Sequence, residues 1–323
     1  MARPWARARA PATIANVGPG FDVFCLALHG LGDAIAIRES SRDSIEVTGE
    51  EAGAVPRDWS GNTAGIVLDA MRRRSGIRSA LEVRLEKGIP AARGLGSSAA
   101  SAAAAAIGFL KAFPKARSLP TADLLEAAVE GEAAVAGRHY DNMSGALLGG
   151  FVSIASTRPI VLRREPVSDR IHIALAIPEI RLRTSEMRAV LPRDVPLEDA
   201  ISNVGKAASL ALALVRGDAA LAGRCLEDRF ATPVRARFLP AFADARDAAL
   251  RAGATGASIA GSGSSVFAIA ATRVAAQRSA NAMADAFRET GTNAKALATR
   301  VDNSLPLAGL ARIRGPSFSL VTT

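Results

Sequence analysis

Only two cysteines, Cys25 and Cys225, occur in 323 residues. They are too few and too far apart for a disulfide framework or a cysteine-rich metal cluster, which is the usage of a reducing compartment. Histidine is almost as scarce, with three residues, and the lack of a carboxylate-rich histidine cluster excludes a zinc site. Aromatics make up 4% of the chain and are not interleaved with basic residues as in proteins that stack single-stranded nucleic acid. Apolar runs stay short of the roughly 18 residues needed to span a bilayer. The N-terminus carries arginines but no apolar signal core, so a cytoplasmic protein without a membrane partner is expected.

Aliphatic bulk fills the place of these missing residues. Hydrophobic residues make up 49%, so Ala, Leu, Ile and Val must build the core of a mixed α and β protein with room for two domains. The net charge of +9 comes almost entirely from arginine, since Lys87, Lys111, Lys115, Lys206 and Lys295 are the only lysines. The arginines are scattered, and their longest run, Arg72-Arg73-Arg74, closes a helical segment where it complements the dipole. A nucleic-acid surface is therefore not expected; an enzyme handling an anionic nucleotide accounts for the charge. No internal repeat or low-complexity linker interrupts the chain.

One stretch organises the rest. Residues 80–85 alternate as a strand, and 97–113 form an alanine-dominated helix. Between them lies Glu86-Lys87-Gly88-Ile89-Pro90-Ala91-Ala92-Arg93-Gly94-Leu95-Gly96. A strand, a glycine-rich turn and a helix opening on Ser97 and Ser98 make a phosphate site, because first-turn N–H groups lack intrahelical partners and the dipole favours an anion. Gly94 and Gly96 permit close backbone approach to phosphate oxygens, and the serine hydroxyls bond an oxygen or ligate a hard cation. No Lys-Ser or Lys-Thr pair follows the glycines, so this is not a Walker A loop. A Gly/Ser turn that only caps a core helix is the other reading of the same residues.

Along the chain, residues 5–14 read as an edge strand marked by Pro11, and 15–22 as a tight Gly-Pro-Gly turn ending in Asp22. Short strands follow at 33–40 and 44–48, then a helix capped by Asn62 and ending before Gly76. A further helix begins at 121–123 and runs to about Gly137. It carries Glu126, Glu130 and Glu132 and is followed by His139, Tyr140, Asp141 and Asn142. Strands at 151–155 and 160–162 close the first half. The pattern shifts near 156–159, which gives an N-terminal domain over 1–157 and a C-terminal domain over 158–323. The second domain reads as a buried strand at 171–177, a short helix from Thr184, and helices at 197–216 and 219–227. Two apolar strands then flank Gly261-Ser262-Gly263-Ser264-Ser265, and a helix at 274–288 and a strand at 294–301 follow.

Pro90-x-x-x-Gly94-Leu95-Gly96-Ser97-Ser98-Ala99-Ala100 resembles the ATP-phosphate loop of the GHMP kinase superfamily. Pro11-Ala12-Thr13-x-Ala15-Asn16-x-Gly18-Pro19-Gly20-Phe21-Asp22 resembles the first motif of its homoserine kinase branch. Gly131-Glu132 with Gly137-x-His139-x-Asp141-Asn142, Thr184-x-x-x-Arg188-x-x-Leu191-Pro192, and the segment from Asp228 to Arg235 resemble that branch too. The turn at Gly261 is similar to the superfamily's third motif, usually Gly-Ala-Gly-Pro. The resemblance covers roughly residues 8 to 300.

The resemblance implies an α+β fold of two domains, the first like ribosomal protein S5 domain 2 and the second a ferredoxin-like sandwich, with ligands at their interface. It implies ATP on Asn62, Pro90, Arg93, Gly94, Leu95, Gly96, Ser97, Ser98, Ala99 and Ala100, with Gly261 and Gly263 bracing the loop. Ser98 and Glu132 are the implied protein ligands of Mg²⁺, which needs few protein oxygens beside phosphates and water. L-homoserine is the implied small-molecule substrate, phosphorylated on its side-chain hydroxyl on the path to threonine. Asn16, Asp22, His139, Thr184, Arg188 and Arg235 are its implied contacts. Asp22 suits the α-ammonium, and the two arginines suit the carboxylate. The branch lacks an aspartate base where this chain has Asn142, so the hydroxyl proton passes to a phosphate oxygen, with Asp141 as the fallback base. Gly145 replaces a proline usual in the family, which bears on local rigidity. A homodimer is the expected assembly, being the commonest one.

Two other readings use the same loop. A mevalonate-type GHMP kinase is disfavoured by Asn16 with Asp22 and by the absence of a clear Asp/Lys pair. A non-catalytic binding protein on a decayed kinase fold is disfavoured by the intact loop and Glu132.

Overall fold

The computed structural model describes residues 4–134, 137–311 and 318–321. The first half runs β1 (Ala6–Ala15), β2 (Phe24–Ser40), β3 (Ser44–Gly49), α1 (Thr63–Ser75), β4 (Ala80–Lys87), α2 (Ser97–Ala112), α3 (Thr121–Ala133), α4 (Asp141–Leu148), β5 (Phe151–Thr157) and β6 (Ile160–Glu165). The second runs β7 (His172–Pro178), α5 (Thr184–Ala189), α6 (Leu197–Arg216), α7 (Ala219–Arg224), α8 (Thr232–Arg235), α9 (Phe242–Arg251), β8 (Gly256–Ile259), β9 (Val266–Ala270), α10 (Arg273–Glu289), β10 (Ala294–Arg300) and β11 (Phe318–Val321).

Single residues set many of the ends. Asn62 Oδ1 accepts the Ala64 N–H and Gly76 turns left-handed at φ 70°, so α1 starts and stops where the sequence indicates. Pro11 stands at the register shift between β1 and β2, where a missing N–H is tolerated. The helix expected to run to about Gly137 ends at Ala133; residues 135 and 136 lie outside the described part.

Two sheets result. One has seven strands in the order β11-β6-β5-β2-β4-β3, with β1 paired along β2; the other has the order β10-β7-β9-β8. In the second sheet the first strand lies between the fourth and the third, which is the ferredoxin-like arrangement, and the α+β architecture is as the resemblance implies. The expected boundary at 157/158 falls in the turn of the β5–β6 hairpin, where Thr157 faces Ile160. β6 stays in the first sheet and pairs with the returning β11. The chain first changes sheet between Glu165 and His172 and returns to the first sheet after β10; the composition shift near 156–159 marks an exposed hairpin turn, not the end of a sheet.

Packing explains how the halves hold together. Every residue of α2 from Ala99 to Leu110 is buried, and its small side chains let the helix lie close between the first sheet and α1, α3 and α4. In β7 the period of two separates Ile173, Leu175 and Ile177 from Ala174 and Ala176. The large residues join Phe267 and Ile269 against Ile14, Phe24 and Leu26 of the first sheet. The alanines face α9 and α10. Both sheets therefore share one apolar layer, which fixes their relative position at the cleft. Among the described residues no helix is long and apolar enough to cross a membrane.

Candidate active site

The phosphate loop is held in place by close backbone contacts. Gly94 and Gly96 have φ 74° and 63°. A Cβ at Gly94 would lie 2.1 Å from Ala260 O, and one at Gly96 would lie 2.0 Å from Thr13 Oγ1. These glycines are thus required by the chain's own approach to itself, whatever a ligand adds. The third motif touches both the loop and the end of β1: Ser265 N–H donates to Arg93 O at 3.0 Å, and Gly261 N–H to Ala15 O at 3.1 Å. Ser97 Oγ donates back to Ile89 O at 2.9 Å, closing the turn on itself.

Behind the loop stands a charge pair that the sequence reading did not anticipate. Lys87, at the end of β4, ion-pairs with Asp33 of β2, and both are buried. Lys87 Nζ also donates to Ser97 O at 3.0 Å and Ser101 Oγ at 2.7 Å, while Asp33 accepts the Gly88 N–H at 2.9 Å. An Asp/Lys pair therefore does exist, but it ties the start of the loop to the first turn of α2. Burial pushes the Lys87 ammonium below its usual range, against the pull of Asp33. The scarcity of lysine was the one sequence signal for this residue.

Across the helix N-terminus, α3 presents Glu132. It is buried, and desolvation pushes its pKa up to about 7 against the opposing influence of the nearby Ser98 hydroxyl. Among the described residues its Oε2 has no hydrogen-bond partner. A buried carboxylate with an orphan oxygen beside a serine hydroxyl fits Mg²⁺, which takes one or two protein oxygens and fills its remaining positions with water and phosphate. Among the described residues no cluster of three or more His, Cys, Asp or Glu could hold a metal, so a site of all-protein ligands is not the alternative.

The opposite end of the cleft is polar and strongly charged. Asp22, at φ 59° in its turn, takes Arg188 in a bidentate ion pair at 2.7 and 3.0 Å. His139 Nδ1 lies 3.1 Å from the same guanidinium. Arg235 is buried, donating to Gly261 O at 2.9 Å and Met187 O at 3.3 Å. Burial, with Arg188 adding to it, lowers the Arg235 pKa. The Phe21 ring lies 5.4 Å from each guanidinium carbon, a spacer between two cations that its sequence motif contained but did not single out. Thr184 Oγ1 meets Ser262 Oγ at 3.3 Å. Asn16 is committed at both ends, donating to Gly261 O at 2.8 Å and accepting the Asp22 N–H at 3.1 Å. Asp141 opens α4 and is buried, and desolvation followed by Asp22 raises its pKa. Asn142 accepts from Thr13 Oγ1 at 2.8 Å.

A single cavity of about 470 Å³ joins these groups. Its walls include Asn16, Asp22, Asn62, Arg93, Gly94, Leu95, Gly96, Ser97, Ser98, Glu132, His139, Asp141, Asn142, Thr184, Arg188, Arg235 and Gly261. Pro90, Ala99, Ala100 and Gly263 are not among its lining residues. Ala99 and Ala100 face the core, Pro90 borders a smaller crevice behind the loop, and Gly263 packs on Leu182 and Ile259. Their contribution is to shape the loop. Gly145 sits within α4, where a Cβ would meet Cys25 Sγ at 2.4 Å, so Cys25 occupies the room a larger residue would need.

Comparison with known proteins places the whole chain. The family model "GHMP kinases N terminal domain" matches residues 62–150, and "GHMP kinases C terminal" matches 210–289. A homoserine kinase of Natronomonas pharaonis is 40% identical over 303 residues, covering 93% of this chain and 98% of that one. One from Thermococcus gammatolerans is 43% identical over 265 residues, covering 81% and 87%. The crystal structure of homoserine kinase from Cytophaga hutchinsonii superposes with a TM-score of 0.88 at 33% identity, over 94% of this chain and 96% of that one. Matched by both family models and by relatives of this identity over most of its length, the chain belongs to the homoserine kinase family of the GHMP kinases.

Proposed function

We propose that this protein transfers the γ-phosphoryl group of ATP to the side-chain hydroxyl of L-homoserine, giving O-phospho-L-homoserine for threonine biosynthesis. One observation carries the reading. The phosphate loop with Ser98 and Glu132 shares a cavity with Asp22, Arg188 and Arg235, charges complementary to both ends of an α-amino acid. Phosphoryl transfer needs mainly positioning and charge neutralisation. The loop and the α2 N-terminus cradle phosphate, while the acceptor's charged end is anchored by the arginines and Asp22 so that its hydroxyl faces the γ-phosphate. When bound by Ser98 and Glu132, Mg²⁺ supplies further neutralisation of phosphate charge. Asn142, bonded by Thr13, is an amide and cannot take a proton; Asp141 is the neighbouring carboxylate that could.

The nucleotide-binding part is read as the first sheet with α1 to α4, and the second sheet with α5 to α10 closes the acceptor side. A cytoplasmic location agrees with two buried free thiols. We read the assembly as a two-fold dimer across α6. Exposed Leu197, Ile201, Val204 and Leu212 share one side of that helix. Glu198 near one end and Arg216 at the other would meet in an antiparallel copy.

A coupled ADP-release assay across homoserine, serine, threonine, mevalonate and shikimate tests the activity. Turnover with homoserine far above the others is expected; preference for mevalonate would move the chain to the other GHMP class.

A further inference from the structure

The two arginines at the acceptor end are in different electrostatic states. Arg235 is buried with its donors on two backbone carbonyls, and among the described residues it pairs with no carboxylate. Arg188 already has an anion: both terminal nitrogens lie on the Asp22 carboxylate. The two partners come from segments 166 residues apart, so only the assembled cleft creates the pair. Asp22 is held by its left-handed turn and by its N–H on Asn16, and Arg188 by α5 and the Phe21 ring. The pair therefore joins two anchored groups, and the charges suited to an amino acid's two ends neutralise one another.

We propose that the Asp22–Arg188 ion pair is a selectivity element that admits acceptors carrying both charges and resists those carrying one. The proposal rests on the reading of this end as the acceptor site. A zwitterion gives Asp22 an ammonium and Arg188 a carboxylate at once, so one broken pair is replaced by two. A hydroxy acid that takes Arg188 strands Asp22, and an amino alcohol that takes Asp22 strands Arg188. The pair is half-exposed, so an acceptor that takes one partner loses the energy of the broken pair and gains only one contact in exchange. Arg235, unpaired, adds to the carboxylate's hold without taking part in the exchange.

This differs measurably from independent contacts. If Asp22 and Arg188 acted separately, removing the Asp22 charge would leave binding of a hydroxy acid unchanged. In the exchange model it liberates Arg188, and binding improves. Calorimetric titration of the full chain is the test, with γ-hydroxybutyrate as the acceptor lacking the amino group and aminopropanol as the one lacking the carboxylate. Asp22→Asn should bind γ-hydroxybutyrate about fivefold more tightly than the native protein, the upper end for a half-exposed pair. The same variant should bind L-homoserine at least about tenfold more weakly, having lost a charge-assisted contact. Arg188→Gln should show the mirror image, gaining aminopropanol and losing homoserine. Asparagine tolerates the left-handed conformation at position 22, and the second variant gives an independent arm. Unchanged or weaker binding of the singly charged ligands, with homoserine still lost, overturns the proposal and leaves the acceptor site standing. If neither variant weakened homoserine, the acceptor-site reading would fail with it.

Discussion

Thr13 Oγ1 donates a 2.8 Å hydrogen bond to Asn142 Oδ1, tying β1 to the first turn of α4. A Cβ added at Gly96 would lie 2.0 Å from that hydroxyl and 2.9 Å from the Asn142 oxygen. The loop, the first motif and the family's Asn are thus one packed unit, and disturbing any of them moves the others.

Gly96→Val therefore breaks the loop twice, by a clash with Thr13 and by strain at φ 63°. Loss of measurable ATP binding in a titration calorimeter is expected; retained affinity with an intact fold would place the phosphates elsewhere. Thr13→Val is the gentler probe. It leaves Asn142 without its anchor and should lower kcat about tenfold with little change in the KM for ATP.

Glu132→Gln should lower kcat at saturating magnesium by at least about a hundredfold, a few kcal/mol of lost charge stabilisation. The variant has a second readout. Glu132 titrates near pH 7 in the folded protein against an ordinary value of 4.5. The native state therefore binds its proton more tightly than the unfolded chain, and stability present below the ordinary value is lost as pH rises through 7. Glutamine mimics the protonated form. Without magnesium, the variant should exceed the native protein by about 3 kcal/mol at about pH 8 and match it in acid. Thermal unfolding across pH, with and without magnesium, measures this. Equal stability at every pH would show that Glu132 is not strained by burial.

The loop, the order of elements and most element ends were legible because local chemistry fixes them: alanine in α2, Asn62 and Gly76 around α1, Pro178 as the last residue of β7. The site was legible only through its motifs. Nothing local says that Asp33 pairs with Lys87 or that Asp22 pairs with Arg188, because those partners meet only after both sheets have packed. The sequence reading gave Gly94 and Gly96 to the ligand, whereas the fold shows them also needed by Ala260 and Thr13. The chain passes to the second sheet one strand after the expected boundary, because a hairpin turn and a linker share the same polar composition.

Lys87→Met tests the buried pair beneath the loop. It leaves the Asp33 carboxylate buried without its cation, a loss of about 3–5 kcal/mol on unfolding. Adding Asp33→Asn should recover much of that stability, since both charges are then gone. If the pair only stabilises the fold, the double variant regains ATP affinity as well. If Lys87 also holds the loop through Ser97 O, affinity stays low while stability returns.

Arg235→Ala addresses the acceptor's carboxylate. The side chain is buried and bonds Met187 O and Gly261 O; its removal takes the donor from Met187 O, while Gly261 O keeps Asn16, and should cost about 2 kcal/mol of stability. That effect must be separated from the one on function. A charge-assisted contact remote from the reacting hydroxyl acts mainly on binding, so the KM for homoserine should rise about a hundredfold while kcat falls less. The KM for ATP should barely move, because Arg235 lies with the third motif and the first-motif turn, away from Ser98 and Glu132. Arg235→Lys keeps the charge but not the planar fork, and should restore part of the stability and little of the homoserine affinity. Steady-state kinetics with each substrate varied, read beside thermal unfolding of both variants, decides the matter. A rise in both KM values in proportion to lost stability would make Arg235 a structural residue, and the carboxylate would have to be assigned to Arg188 alone.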